Sequence, residues 1–189
     1  MALLCGGGED GPHVNAQDVD GRPPMFDFLD EQVYMQALMQ HSARLDLLNN
    51  SGKSAFHHVC MQDESDALRT LLRLSSPGSV MVTVKDQDGN TALAQALRHG
   101  SIEGAMVLLE LDDIGDVVGQ DSWALVHHAA KLGDLDVLGA VFRHPSFGKG
   151  IKTIDSKTAE VVAIEAGYWS GEVKTLLREY NLVIRNVFS

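Results

Sequence analysis

Cysteine is scarce in this chain, and positive charge is outweighed. Two cysteines, Cys5 and Cys60, among 189 residues make no disulfide framework. That predicts a reducing, intracellular setting, cytoplasmic or nuclear. Lys and Arg number 15 against 26 Asp and Glu, for a formal net charge of −11. A face that grips nucleic-acid phosphates needs clustered cations, so this balance argues against a direct nucleic-acid partner. No apolar run reaches the roughly 18 residues that a membrane span requires. The opening Met1-Ala2-Leu3-Leu4-Cys5-Gly6 lacks the charged start and the long apolar stretch of a secretory signal.

Catalytic motifs are missing as well. There is no G-x-S-x-G nucleophile turn, no Cys-x-x-Cys and no His-Glu-x-x-His. Gly52-Lys53-Ser54 ends like a phosphate-binding loop, but Leu47 stands where that loop needs its first glycine. His57-His58 and His127-His128 invite a metal reading. Adjacent residues on a helix point about 100° apart, however, and do not converge on one ion. The chain therefore predicts no metal, no cofactor and no enzyme activity. Cys60 reads as a buried, inert thiol, and His58 and His99 as surface or groove residues.

What is present is a phrase used five times. Gly89-Asn90-Thr91-Ala92-Leu93 is followed by Ala96-Leu97 and Gly100, and Ser122-Trp123-Ala124-Leu125-Val126-His127 by Ala129-Ala130 and Gly133. The anchors of this frame are Gly21, Gly52, Gly89, Ser122 and Ser156, in steps of 31, 37, 33 and 34 residues. Each anchor opens a segment that closes at Gln32, Asp63, Gly100, Gly133 or Gly167. Inside it, at one register, sit Phe28-Leu29, Val59-Cys60, Ala96-Leu97, Ala129-Ala130 and Ala163-Ile164. A second apolar run follows each time: Val33 to Met39, Ala67 to Leu74, Ile102 to Leu111, Leu135 to Phe142 and Val173 to Leu177. Asp and Gly before each segment suit a turn, and hydroxyls or Pro suit a helix start. A period of this length means units that cannot bury their own apolar face and must stack.

The frame resembles the ankyrin repeat, whose units of about 33 residues hold a turn and two helices with a T-P-L-H-x-A signature. Thr91-Ala92-Leu93 keeps the Thr and Leu. Ser54-Ala55-Phe56-His57 keeps a hydroxyl and the His, and Val126-His127-His128-Ala129 the His and Ala. Pro23-Pro24-Met25 keeps the Pro, while Glu160 in Thr158-Ala159-Glu160-Val161 departs most. The resemblance implies an all-α solenoid of stacked antiparallel helix pairs with hairpin loops, in one domain over residues 1–189. The repeats then fall at about 18–48, 49–85, 86–118, 119–152 and 153–180, with a C-terminal cap or tail over 181–189. Ala2-Leu3-Leu4 and Val14 to Asp18 match the tail of an earlier repeat, which makes residues 1–17 that tail or an N-terminal cap. In the family, His57 and His127 make a structural hydrogen bond to a neighbouring turn. The run Val80 to Val84, after Ser75-Ser76-Pro77-Gly78, predicts a longer hairpin finger, and Tyr180 to Phe188 a cap or short strand.

The same resemblance implies a non-catalytic module that binds a protein or peptide on a concave face of hairpin tips and first helices. Carried onto this chain, the tips supply Asp20, Arg22, Lys53, Asp88, Asn90, Asp121 and Trp123. The helix ends supply Glu31, Met61, Arg98, His99, Lys131 and Leu132. Trp123 is the expected anchor, since rigid aromatics dominate interface energetics; the alternative is a Trp packed on its own or the fifth repeat. Tyr168-Trp169, at the last helix-helix turn, reads as a second contact or as packing. The acidic charge suits a basic partner. A monomer within a larger scaffold or signalling protein is expected. A regulatory or targeting region of an enzyme or channel, or an acidic chaperone or inhibitor of a basic client, stays open.

Overall fold

A computed structural model describes residues 14–75, 80–114, 124–144 and 157–187. Among them are nine α-helices and no strand. In chain order these are α1 (Gln32–Gln40), α2 (Ala55–Met61), α3 (Ser65–Leu74), α4 (Ala92–His99), α5 (Ile102–Leu109), α6 (Leu125–Leu132), α7 (Leu135–Arg143), α8 (Ala159–Glu165) and α9 (Gly171–Val187). Two layers result. Helices α2, α4, α6 and α8 pack one after another in an inner row, and α1, α3, α5, α7 and α9 in an outer row. Each inner helix also packs on the outer helix that follows it, so the chain is an all-α solenoid of helix pairs.

The inner row packs closely because its residues are small. Ala92, Ala94 and Ala96 of α4, and Ala129 and Ala130 of α6, are all buried. In α4 every residue from Ala92 to Leu97 is buried. The Thr91 hydroxyl caps this helix by accepting from the Ala94 N–H at 3.4 Å. The outer helices are amphipathic instead. In α3, Ala67, Leu68, Thr70 and Leu71 face inward while Asp66, Arg69 and Arg73 stay exposed. Each fully buried Leu in this double layer is worth about 1.5–3 kcal/mol of apolar transfer.

Three sequence expectations need correction. Val80–Thr83 is a 3-10 turn, not a strand of a longer finger, and it turns Val82 into the core. The C-terminal run is not a short strand as far as Val187, because it continues α9, at 17 residues the longest described helix. Gln32 does not close a helix but begins α1. Pro23 and Pro24 shorten the preceding segment to a 3-10 turn, Pro24–Phe28. The small-or-apolar register also fails at one place: Ile164 is 51% exposed. No inner helix follows α8 among the described residues.

The candidate partner-binding face

The fingers between helix pairs are built by one device used three times. An Asp or Asn accepts two backbone N–H bonds on its Oδ1: Asp18 from Asp20 and Arg22 at 2.9 and 2.8 Å, and Asn49 from Ser51 and Lys53, both at 2.9 Å. Asp86 does the same for Asp88 and Asn90, at 3.0 and 2.9 Å. Three residues after each comes Gly21, Gly52 or Gly89, all in the left-handed region at φ 73 to 75°. Short polar side chains that mimic a backbone turn and a glycine that accepts positive φ make the same finger each time.

Neighbouring fingers are then joined. The Asn50 N–H donates to the Asp20 carbonyl at 2.9 Å, and its side-chain amide donates to the Val19 carbonyl at 2.9 Å. The Gln87 N–H donates to the Ser51 carbonyl at 3.0 Å, and its side-chain amide to the Asn50 carbonyl at 2.7 Å. His57 ties the inner row to the next finger. Its Nδ1 accepts from the Ser54 N–H at 3.1 Å, which places the proton on Nε2, and Nε2 donates to the Asn90 carbonyl at 3.0 Å. His127 repeats the first half, its Nδ1 accepting from the Ala124 N–H at 3.1 Å.

Burial sets the chemistry of these groups. Desolvation, ahead of the opposing Asn90 and Asp86 contributions, lowers the His57 pKa. His128 is pushed down to about 3 by burial first and then by the charges of Arg98, His127 and Lys131. The Cys60 thiol, fully buried, is pushed up to about 12, which leaves it protonated and unreactive. Of the two settings expected for His58, open surface or groove, the open surface does not hold. It is half-buried against the Phe26 ring, with ring centroids 4.6 Å apart, accepts from the Asn49 amide at 3.2 Å, and is pushed down to about 4 by burial and then by Arg22, Lys53 and His57.

The residues singled out from sequence fall in different places. Asp20 and Asp88 are exposed on the fingers, and Arg22 and Lys53 are half-buried there, Arg22 paired with Asp27 at 2.9 Å. Asn90 is a correction: at 2% exposure it lies inside, its N–H held by Asp86 and its carbonyl by His57, so its side chain is not offered to a partner. At the inner-helix ends, Arg98, His99 and Lys131 are exposed, while Met61 and Leu132 are half-buried; Glu31 is exposed as well, but at the start of the outer helix α1 rather than the end of an inner one. Asp121 and Trp123 lie outside the described residues.

Sequence reasoning left Tyr168 with two roles open, and the geometry shows it packed on Gly133. Its ring lies against Gly133, in the space that a Cβ there would occupy, yet the residue is 50% exposed. Gly133, at φ +76°, ends α6. Leu132 repeats the arrangement one step back, its Cδ1 3.8 Å from where a Gly100 Cβ would stand. Trp169 is half-buried and packs on the core. What sequence reasoning missed is the buried pair in which Gln95 Nε2 donates to Asp86 Oδ2 at 2.6 Å. A carboxylate nine residues before an inner-helix Gln was the only available sign.

Comparison with known proteins agrees with this architecture. The ankyrin-repeat family, described as three copies of the repeat, matches residues 25–121, just over half of the chain. The chain belongs to the ankyrin-repeat family. Ankyrin repeats are protein–protein interaction modules without catalytic function, and they bind protein partners. Over 98 residues the chain is 30% identical to the B-cell lymphoma 3 protein homolog of Mus musculus, a stretch that is 51% of this chain and 22% of that protein. The chain thus spans about a fifth of that relative's length. Among solved structures, the ankyrin repeat domain of Bcl-3, described as a unique member of the IkappaB protein family, superposes with a TM-score of 0.73. That likeness holds at 21% identity, over 87% of this chain and 73% of that one. The ankyrin repeat protein EF0377 superposes with a TM-score of 0.71 at 21% identity, over 87% and 84% of the two chains. No described helix is long and apolar enough to cross a membrane.

Proposed function

We propose that this chain holds a protein or peptide across its finger tips and the exposed ends of its inner helices. The observation that carries this reading is the joining of one finger to the next through Asp20, Asn50, Ser51 and Gln87. Tips fixed before a partner arrives lose little entropy on binding, so contacts from several repeats add up. Asp20, Arg22, Lys53 and Asp88 on the fingers, with Glu31, Met61, Arg98, His99, Lys131 and Leu132 at the helix ends, are the proposed contacts. Trp123 and Asp121 belong with them by sequence. Trp123→Ala should weaken the partner by about 2 kcal/mol, the hot-spot scale, with an unchanged far-UV helical signal.

The acidic groups of the first repeat (Asp20, Asp30 and Glu31, all exposed) suit a basic element of the partner at that end. The protein that carries this module is read as intracellular, the module itself as monomeric. Its role is read as that of a module in a larger scaffold or signalling protein.

The test is capture of a partner on the tagged chain, followed by hydrogen exchange of the isolated complex. Protection is expected in the fingers around Asn50 and Gln87 and at the ends of α4 and α6. Protection confined to α3, α5 and α7 would refute the face.

A further inference from the structure

The outer layer carries a groove that the finger face does not use. About 740 Å³ in volume, it lies between α3 and α5, with Gln32 of α1 at one end. That is the size of a ligand cleft. Asp66, Arg69, Thr70 and Arg73 line it from α3, and their spacing puts them on one side of that helix. Glu110, just past the end of α5, and buried Val107 line the other wall. The charges are of both signs and do not pair with one another. Among the described residues no hydrogen bond or ion pair engages the exposed side chains of Asp66, Arg69 or Glu110. Glu110 follows Arg73 by 37 residues, the step from the second frame to the third, so it stands level with Arg73 across the groove. Arg73 instead donates to Thr70 Oγ1 at 3.1 Å. Thr70 is 4% exposed, and its own hydroxyl proton goes to no described acceptor. A buried hydroxyl with a proton to give thus stands between two guanidinium groups one turn apart.

We propose that this groove takes an extended peptide segment of the pattern Lys-x-Glu-x-Lys. Arg69, Arg73 and Thr70 hold the glutamate, and Asp66 and Glu110 take the lysines on either side. A guanidinium fork matches a carboxylate in shape as well as in charge. Asp66 and Glu110 balance Arg69 and Arg73, so the groove is neutral in sum and selects an order of charges rather than a net charge. The spacing fits. The midpoint of Arg69 and Arg73 lies five residues beyond Asp66, which is about 7.5 Å along a helix. Alternate residues of an extended peptide stand about 6.6 Å apart. The site is separate from the finger face and stands or falls without it.

Labelled peptides, capped at both ends, test it by fluorescence anisotropy. One is Lys-Ala-Glu-Ala-Lys, one the reversed Glu-Ala-Lys-Ala-Glu, and one Lys-Ala-Lys-Ala-Glu, which has the composition of the first in another order. The first should bind at least about tenfold tighter than either of the others, and added salt should erode the difference. Thr70→Val keeps the buried shape and should weaken the first peptide by about threefold or more, without lowering the urea midpoint. Arg69→Gln with Arg73→Gln should abolish the preference, and far-UV circular dichroism verifies that this variant is folded. Arg98→Gln with Lys131→Gln on the finger face should leave the preference unchanged. Hydrogen exchange with the first peptide bound should slow in α3 and α5. Equal binding of all the peptides, binding of none, or a preference that survives loss of Arg69 and Arg73 would overturn the proposal. Protection confined to the fingers would remove this groove and leave the finger face standing.

Discussion

The third repeat and the first are written in the same frame and come out differently. In the third, a hydroxyl caps α4, six consecutive residues from Ala92 to Leu97 are buried, and Gly100 ends the helix. In the first, two prolines reduce the opening segment to a 3-10 turn, and α1 leaves Val33 74% and Tyr34 45% exposed. The third repeat has described neighbours on both sides, whereas the first meets a described helix pair on one side only. Met35 and Leu38 of α1 are buried as Ala105 and Leu108 of α5 are, but α1 adds two large exposed apolar side chains where α5 has the single exposed Ile102. In a stacked array, burial belongs to the interface between units as much as to the unit.

The largest expected effect is a direct contrast of the two. Leu93→Ala, at a position 1% exposed, should cost about 2–5 kcal/mol by urea unfolding. Val33→Ala on α1 should stay within about 0.5 kcal/mol, because little burial is lost and Ala favours the helix. Similar losses at both positions would mean that the open flank of α1 is covered in solution and that the contrast is false.

Next come the closing glycines. Gly133 and Gly167 share a left-handed backbone, at φ +76 and +81°, but only Gly133 carries the Tyr168 ring, and nothing lies within 4 Å of a Cβ at Gly167. Gly167→Ala should cost the conformational term alone, about 1–2 kcal/mol. Gly133→Ala adds a collision with the ring, for a total of about 2–4 kcal/mol. Truncating Tyr168 in the Gly133→Ala background should recover that excess. If it does not, the ring is not what fills the space.

Acid probes the buried histidines of the interior. A histidine whose folded pKa lies below its free value of 6.5 is held neutral by the fold. Its contribution is complete above 6.5 and is lost as the pH falls toward its folded value, since the unfolded chain takes up protons first. For His128 the window runs from 6.5 to about 3. The slope approaches about 1.4 kcal/mol per pH unit for such a group. Replacing His128 with Gln should flatten the stability profile between pH 6 and 4 (about two units of that window), measured by urea midpoints at each pH.

Much of this was legible in the sequence, for a physical reason. Stacking requires small residues at one register and turn residues at another, so Gly89, Ala96, Ala129 and Gly133 had to recur. Side-chain placement on the fingers was less legible. Asn90 follows Gly89 in a turn, where exposure is the ordinary expectation, but Asp86 and His57 draw its backbone inward from opposite sides. Val80 to Val84 has the composition of a strand, yet no partner strand stands beside it among the described residues, and the segment closes into a 3-10 turn.

The smallest effect concerns how the helix starts differ within the interior itself. In the second repeat Ser54 has two bonds to His57 Nδ1, from its N–H at 3.1 Å and from its hydroxyl at 2.9 Å. In the fourth repeat Ala124 keeps the backbone bond to His127 at 3.1 Å and has no hydroxyl to add. Both positions are buried, Ser54 at 0% and Ala124 at 3%, so the surroundings already accept a side chain of that size in one of them. Ala124→Ser should therefore stabilise the chain, by about 0.5–1 kcal/mol, the scale of a helix-start hydroxyl. The converse, Ser54→Ala, should cost about as much, because the backbone bond to His57 survives it. A cost on both substitutions, seen as lower urea midpoints, would mean that the pocket at Ala124 is too tight for an oxygen and that repeats alike in hydrogen bonding differ in packing.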